Sequence, residues 1–163
     1  KFIILLRNPI DRAYSHYTRV SGTGRDPLSF EEAIEKEEER TKPEFKKMGE
    51  NEMYWSGDYF RFSYLSRGIY VDKLERWFSV FPKEQFLIIQ SEEFFKDTAK
   101  TYKQVLEFLD LSDFKLPEYK QIGKAKYKQP KMNQNTRNEL VEYFKPYNKR
   151  LYELLGRKFD WDE

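Results

Sequence analysis

The sequence contains no cysteine and only one histidine, and these absences exclude two large classes of site. Without cysteine there is no disulfide framework and no thiolate nucleophile, and a cytoplasmic, reducing location fits this composition. One histidine cannot form the clusters typical of zinc sites, so we expect no metal. The phosphate-loop pattern GxxxxGK[ST] and the dinucleotide pattern GxGxxG are also missing from the sequence.

Long apolar runs and a strong net charge are lacking as well. No stretch approaches the ~20 apolar residues that cross a bilayer, so we expect no membrane segment. A formal net charge of +2 creates no global field that favours a nucleic acid partner. The 163 residues are nevertheless 39% hydrophobic and 18% aromatic, which is enough to build the core of a single domain.

The opening stretch of the chain predicts a strand that leads directly into a helix. Five apolar residues, Phe2–Leu6, are typical of a parallel strand buried on both faces. Asn8 is a good N-cap and Pro9 suits a first helical position, so we expect a helix from Pro9 to about Val20.

Arg7 lies between these two elements, beside what we expect to be open amide groups of the first helical turn. A guanidinium next to free amides at the carboxyl end of a strand is typical of an anion site. Ser15 lies off the apolar stripe of the helix and is expected to add a hydroxyl donor. The stripe consists of Ile10, Ala13, Tyr14, Tyr17 and Val20. The alternative is that Arg7 pairs with a carboxylate and Ser15 is a small packing residue.

The rest of the chain predicts an α/β fold in which helices flank a parallel sheet. Periodicity indicates helices over residues 29–40, 63–81, 98–109 and 136–155, and a second buried strand over 85–89. We interpret the acidic run Glu31–Glu39 as a solvated helix face. Residues 42–60 are weakly patterned, and we expect an aromatic loop over residues 51–60. Two strands are few for a sheet, and the chain starts at Lys1, so we expect an N-terminal part of the domain to be missing.

Two further segments contain candidate binding residues. Between Tyr119 and Asn138 there are five lysines, one arginine and no acid, which indicates a loop over a polyanion or simply a solvated basic loop. The segment YLSRGIYVDKLERW predicts a helix whose beginning, with Ser66, Arg67 and Tyr70, faces a substrate cleft or only packs. The single histidine, His16, lies off the apolar stripe and is expected to be structural or exposed.

Taken together, four segments resemble one enzyme family. The stretch FIILLRNPIDRAYSHY resembles the 3′-phosphate-binding strand and helix of sulfotransferases that use 3′-phosphoadenosine 5′-phosphosulfate (PAPS). The segments SRGIYVDKLERWFSVFPKEQFLIIQSEEF, IGKAKYKQPKM and LVEYFKPYNKRLYELLGRKFDW are similar, in the same order, to later parts of the heparan sulfate type and its bacterial relatives. The resemblance spans nearly the whole chain.

The resemblance implies a partial P-loop-like sulfotransferase fold and a single domain over residues 1–163. It implies that Arg7 and Ser15 hold the 3′-phosphate of PAPS or of its product, adenosine 3′,5′-bisphosphate. It also implies that a basic loop closes on the nucleotide through three residues, Lys126, Tyr127 and Lys128. Arg67 and Tyr70 are expected to bind the acceptor, a glycan or a small alcohol or amine, and no metal is expected.

The chain also departs from the family pattern. The loop that clamps the 5′-phosphosulfate and the usual catalytic base are expected upstream of Lys1, so we expect this chain alone to be inactive. Tyr127 stands where many relatives have glycine. The lack of cysteine favours a bacterial, cytosolic type over a Golgi enzyme. Two other interpretations stay open: a non-catalytic module that binds a nucleotide or an acidic glycan, and a relative of nucleotide kinases.

Overall fold

The computed structural model describes residues 1–120 and 131–161. These residues form two β-strands and eight α-helices, with short 3-10 helices at Ser66–Gly68 and Lys83–Gln85. The elements in chain order are β1 (Phe2–Leu6), α1 (Pro9–Ser21), α2 (Phe30–Glu35), α3 (Glu37–Glu50), α4 (Gly57–Phe62), α5 (Tyr70–Phe78), β2 (Phe86–Gln90), α6 (Ser91–Lys96), α7 (Thr98–Phe108) and α8 (Gln134–Leu155).

The described residues divide into two compact units. One contains residues 1–7 and 71–120, and the other contains residues 8–70 and 131–161. The first unit holds the sheet with α6 and α7 and most of α5, and the second is helical. The α/β class and the parallel pairing of the strands are therefore confirmed.

The sheet of the first unit pairs β1 with β2 in parallel, so that Phe2 lies opposite Phe86 and Leu6 opposite Gln90. The ring of Phe2 stacks on that of Phe86 at 4.7 Å between centroids. The prediction that β1 is buried on both faces is wrong: Ile3 and Leu5 are 38% and 53% exposed. Among the described residues, the packing covers only the face that carries Phe2, Ile4 and Leu6, since side chains alternate along a strand.

The core of the second unit is built around α1 and α8. Ile10, Ala13, Tyr64, Leu140 and Phe144 are buried together in one apolar cluster. The predicted apolar stripe of α1 is thus confirmed at its most buried positions. The polar groups that border this cluster become important at the candidate site.

Several element boundaries differ from the sequence-based predictions. The weakly patterned residues 42–60 are largely helical, because α3 runs to Glu50 and α4 begins at Gly57. The loop predicted over residues 51–60 is therefore confined to residues 51–56. The predicted helix over 63–81 is reduced to α5, which follows the 3-10 turn Ser66–Gly68. Serine is a preferred N-cap residue, so Ser56 could have predicted the start of α4. Its hydroxyl accepts the N–H of Tyr59 at 3.1 Å.

A close approach at Gly68 explains why this helix is interrupted. A Cβ added to Gly68 would lie 3.0 Å from Cβ of Pro9 and 3.0 Å from Cε1 of Phe144. Both neighbours are buried, so neither can move aside cheaply. The chain therefore packs against the first turn of α1 and against α8 at Gly68, where the absence of a side chain permits the close approach.

We expect Gly68→Ala to lower the free energy of unfolding by about 1–3 kcal/mol, the usual effect of overpacking a core. Gly49→Ala is the matched control, because Gly49 lies within α3 and a Cβ there meets nothing within 4 Å. That control should be neutral or stabilising by up to about 1 kcal/mol. Urea unfolding of both variants measures the difference, and equal stabilities would contradict the proposed close packing.

Candidate functional site

The first turn of α1 differs from the sequence-based prediction in one chemical respect. Its amides are not open, because the Asn8 side chain accepts the N–H groups of Ile10 at 3.0 Å and Asp11 at 3.4 Å. The N–H of Arg12 donates to the Asn8 carbonyl at 2.9 Å, and Pro9 has no N–H to offer. The predicted N-cap is confirmed, but the same cap satisfies the donors that were expected to bind an anion.

The two residues predicted to hold a phosphate lie on either side of this cap. Arg7 follows the last residue of β1 and is exposed. Ser15 lies in the middle of α1 and is half-buried. A guanidinium and a hydroxyl are donors suited to a phosphate. Their assignment to one phosphate stays a prediction.

The predicted acceptor-binding residues lie on the 3-10 turn and at the start of α5. Arg67 is exposed in the middle of the turn, and its guanidinium lies 5.7 Å from the centroid of the Phe60 ring. Phe60 in turn stacks on the exposed ring of Trp55, with centroids 5.3 Å apart. Tyr70 is half-buried and its ring lies 6.0 Å from that of Trp161. Arg67 thus forms one end of an aromatic surface.

Sequence analysis missed a set of polar side chains that bind residues 63–66 just before this turn. The Arg12 guanidinium donates to the carbonyls of Ser63, at 3.4 Å, and of Tyr64. The Glu37 carboxylate accepts the N–H groups of Leu65 at 2.6 Å and Ser66 at 2.9 Å. The interpretation of the whole acidic run as a solvated face is therefore wrong for Glu37, which is only 6% exposed.

A second buried group anchors the side chain of Tyr64. Its hydroxyl donates to Asp26 at 2.6 Å, and Arg40 donates to the same carboxylate oxygen at 2.9 Å. Burial and the adjacent Asp26 raise the pKa of the Tyr64 hydroxyl far above its usual value. Asp26 lies between α1 and α2, and its partners are 14 and 38 residues away in the sequence, so no local signal indicates its role.

His16 lies against the same tyrosine. Its ring packs edge-on to Tyr64 with centroids 5.0 Å apart, and the residue is 8% exposed, so the alternative of an exposed histidine is wrong. Burial, and then the positive charges of three arginines, lower the pKa of His16 from 6.5 to about 4; the arginines are Arg12, Arg67 and Arg19. A hydrogen bond to the backbone of Ser63 acts in the opposite direction.

We expect His16 to titrate with a midpoint near pH 4, which NMR can follow cleanly because the chain has only one histidine. The folded pKa lies below the unfolded one, so protonation favours the unfolded chain. Stability should therefore fall as the pH drops from about 6.5 to about 4. His16→Gln, which cannot titrate, should lose this part of the pH dependence. A midpoint at 6.5 would contradict the buried, arginine-surrounded placement.

The aromatic surface is held by one carboxylate of α3. Glu44 accepts hydrogen bonds from the hydroxyls of Tyr54 and Ser56, both at 2.6 Å, and from Lys47 at 2.7 Å. These bonds, with Lys47 first, lower the pKa of the Glu44 carboxyl to about 2. Glu44 therefore stays ionised over the physiological range and ties residues 54–56 to α3.

The predicted basic loop cannot be compared with the structure. Lys126, Tyr127 and Lys128 lie outside the described residues. Within residues 1–120 and 131–161, no group of three or more histidine, aspartate or glutamate side chains is arranged to hold a metal. In the same part of the chain, no helix has the length and apolarity needed to cross a membrane.

Comparison with known proteins places this architecture in a family. The model of the sulfotransferase domain matches residues 1–155. A crystal structure of a sulfotransferase from Alicyclobacillus acidocaldarius superposes with a TM-score of 0.77 and 29% identity over 100% of this chain and 57% of that one.

Two curated relatives agree with this result. Mouse heparan sulfate glucosamine 3-O-sulfotransferase 3B1 is 26% identical over 99% of the chain, and the Dictyostelium discoideum membrane-associated sulfotransferase kil1 is 32% identical over 61% of it. The chain spans 43% of the mouse protein and 21% of the Dictyostelium protein. Because the family model covers nearly the whole chain, we conclude that this chain belongs to the sulfotransferase domain family.

Proposed function

We propose that the protein containing this chain transfers a sulfonate from PAPS to an acceptor hydroxyl or amine, and that Arg7 and Ser15 bind the 3′-phosphate. The observation that carries the proposal is the exposed Arg7 at the carboxyl end of β1, followed by a capped helix that contains Ser15, in a chain of this family. Ligands of open α/β sheets bind beyond the carboxyl ends of the strands.

The residues present fit a nucleotide phosphate chemically. Arg7 offers a planar pair of donors and Ser15 a hydroxyl, and both are accessible to solvent to some degree. Because the first-turn amides of α1 are capped, side chains must bind the phosphate. The loss of Arg7 or Ser15 should therefore lower the nucleotide affinity directly. Lys126, Tyr127 and Lys128 of the predicted basic loop complete the proposed nucleotide site by resemblance alone.

In this proposal the chain works by binding and orientation. PAPS supplies the activated sulfonate; the acceptor oxygen or nitrogen bonds to sulfur as the bond from sulfur to the phosphate oxygen breaks. Arg7 and Ser15 fix the nucleotide so that the acceptor approaches in line. Such orientation of the reactants substantially lowers the activation free energy. A base takes the acceptor proton.

Arg67 and Tyr70 are the proposed acceptor residues. Arg67 is exposed at one end of the surface formed by Phe60 and Trp55, so a guanidinium and two aromatic faces are presented side by side. A saccharide acceptor suits such a surface, because the apolar faces of its sugar rings can pack on the aromatic rings. An anionic substituent of the saccharide can pair with the guanidinium of Arg67. A cytoplasmic location remains a prediction from the cysteine-free sequence.

The five lysines between residues 119 and 138 favour a second candidate, a module that binds a nucleotide or an acidic glycan without catalysis. The two candidates differ in ligand and in salt response. Titration calorimetry of the full-length protein with adenosine 3′,5′-bisphosphate tests the first, which requires binding that depends on the 3′-phosphate. A module that binds an acidic glycan instead predicts polyanion binding that is indifferent to nucleotide and falls steeply with salt. A module that binds a nucleotide predicts bisphosphate binding without any sulfonate transfer.

A further inference from the structure

Glu37 is the most deeply buried carboxylate of its acidic run, and its position is unusual. It begins α3, and the hydroxyl of Thr41 donates to its carbonyl at 2.7 Å. Burying an ionised carboxylate is unfavourable unless hydrogen bonds replace water. Here two consecutive backbone amides, those of Leu65 and Ser66, donate to its two oxygens at 2.6 and 2.9 Å.

These two amides belong to the turn that presents Arg67. The N–H of Gly68 closes the turn on the carbonyl of Leu65 at 2.7 Å, and the N–H of Ile69 donates to Ser66 at 3.3 Å. The hydrogen bonds within the turn do not use the N–H groups of Leu65 and Ser66, which lie at its start. These two groups need another acceptor. Glu37 therefore fixes the entry of the turn from 28 residues away in sequence.

The neighbouring backbone is fixed from other directions. Arg12 binds the carbonyls of Ser63 and Tyr64, and Asp26 binds the Tyr64 hydroxyl. Four consecutive residues are thus held by three side chains of separate segments, and the next residue, Arg67, is exposed. A rigid backbone under an exposed cation is the arrangement expected where that cation must bind a ligand in a fixed orientation.

We propose that Glu37 is a positioning residue of the acceptor site, acting through the 65–66 backbone to orient Arg67 toward a glycan acceptor. The inference rests on the proposed function. Glutamine cannot replace the carboxylate, because its side chain has one carbonyl oxygen and one NH2 group, and the NH2 group would face an amide donor. One of the two backbone amides would then lose its acceptor.

The test uses the full-length protein with Glu37→Gln, and Glu39→Gln as the matched control, since Glu39 is an exposed residue of the same helix. The probe acceptor is a heparan sulfate oligosaccharide. We expect Glu37→Gln to raise its KM roughly tenfold, the effect of one lost charge-assisted hydrogen bond. The kcat and the Kd of adenosine 3′,5′-bisphosphate should stay at wild-type values, as should every constant of Glu39→Gln.

Two further readouts separate positioning from a general loss of stability. Hydrogen exchange at the amides of Leu65 and Ser66 should accelerate in Glu37→Gln and not in Glu39→Gln. In an Arg67→Ala background, Glu37→Gln should have little additional effect on KM, because the two residues act on one interaction. Independent, multiplicative effects on KM would overturn the inference, as would parallel losses in acceptor and nucleotide binding.

The outcomes also separate the inference from the function on which it rests. A wild-type protein that fails to bind the bisphosphate overturns both. A wild-type protein that binds the bisphosphate but leaves the oligosaccharide unmodified overturns the glycan acceptor and the role of Glu37 with it. If the wild type transfers sulfonate and Glu37→Gln has an unchanged KM, only the inference is wrong.

Discussion

Replacing Arg7 by alanine is expected to weaken binding of adenosine 3′,5′-bisphosphate roughly 10–100-fold, because each charge-assisted hydrogen bond contributes about 1.5–3 kcal/mol. Arg7 is exposed at the end of β1, so the substitution removes a side chain that faces solvent. The loss should therefore appear mainly in the ligand affinity and much less in the unfolding temperature. Calorimetry and thermal unfolding of the full-length variant measure the two effects separately.

Arg76→Ala is the matched control for this prediction. Arg76 is also an exposed arginine of the first unit and lies in the last turn of α5. The control should bind the bisphosphate with wild-type affinity. Adenosine 5′-monophosphate supplies the second control, because a ligand without the 3′-phosphate should be insensitive to Arg7→Ala. Equal losses for both ligands would show that Arg7 does not recognise the 3′-phosphate.

Replacing Asp26 by alanine is expected to destabilise the fold by about 3–5 kcal/mol, the usual result of removing one partner of a buried ion pair. The Asp26 side chain is 0% exposed and pairs with Arg40, whose side chain is 18% exposed. The variant leaves the Arg40 charge and the Tyr64 hydroxyl without their acceptor. Chemical denaturation gives the change in the free energy of unfolding.

Asp58→Ala provides the comparison for Asp26. Asp58 also pairs with an arginine, Arg61, at 2.6 Å, but both side chains are substantially exposed. Exposed pairs contribute about 0–1 kcal/mol, so this variant should unfold close to the wild type. If Asp26→Ala were as stable as Asp58→Ala, the network around Tyr64 would not hold the second unit together as the hydrogen bonds indicate.

Local signals in the sequence were enough to locate the elements on either side of Arg7. The apolar run gave the bounds of β1, and Asn8-Pro9 gave the start of α1, because capping chemistry is confined to neighbouring residues. The start of α2 carries a local signal of the same kind, a capping box between Ser29 and Glu32. Arg7 is exposed and Ser15 is half-buried, and their binding of a ligand stays a prediction.

The parts that sequence reasoning missed depend on partners far away along the chain. Nothing near Glu37 indicates that it reaches the amides of residues 65 and 66, and nothing near Asp26 indicates Tyr64, 38 residues later. The acidic pattern around Glu37 is that of a solvated helix, so its burial is decided by tertiary packing. The break before α5 also depends on distant residues. Hydrophobic periodicity does not report the close approach of Pro9 and Phe144 to Gly68.

The two predictions made for the first turn of α1, a cap by Asn8 and amides open to an anion, exclude each other. The Asn8 side chain cannot leave open the donors that it accepts, those of Ile10 and Asp11. The proposed phosphate site therefore depends on Arg7 and Ser15 more heavily than the sequence first indicated.

The measurement that tests the central claim most directly is calorimetric titration of the full-length wild-type protein with adenosine 3′,5′-bisphosphate and with adenosine 5′-monophosphate. The sulfotransferase proposal predicts that the bisphosphate binds at least roughly tenfold more tightly, because the 3′-phosphate adds charge-assisted hydrogen bonds from Arg7 and Ser15. Equal affinities, or no binding of either nucleotide, would contradict it.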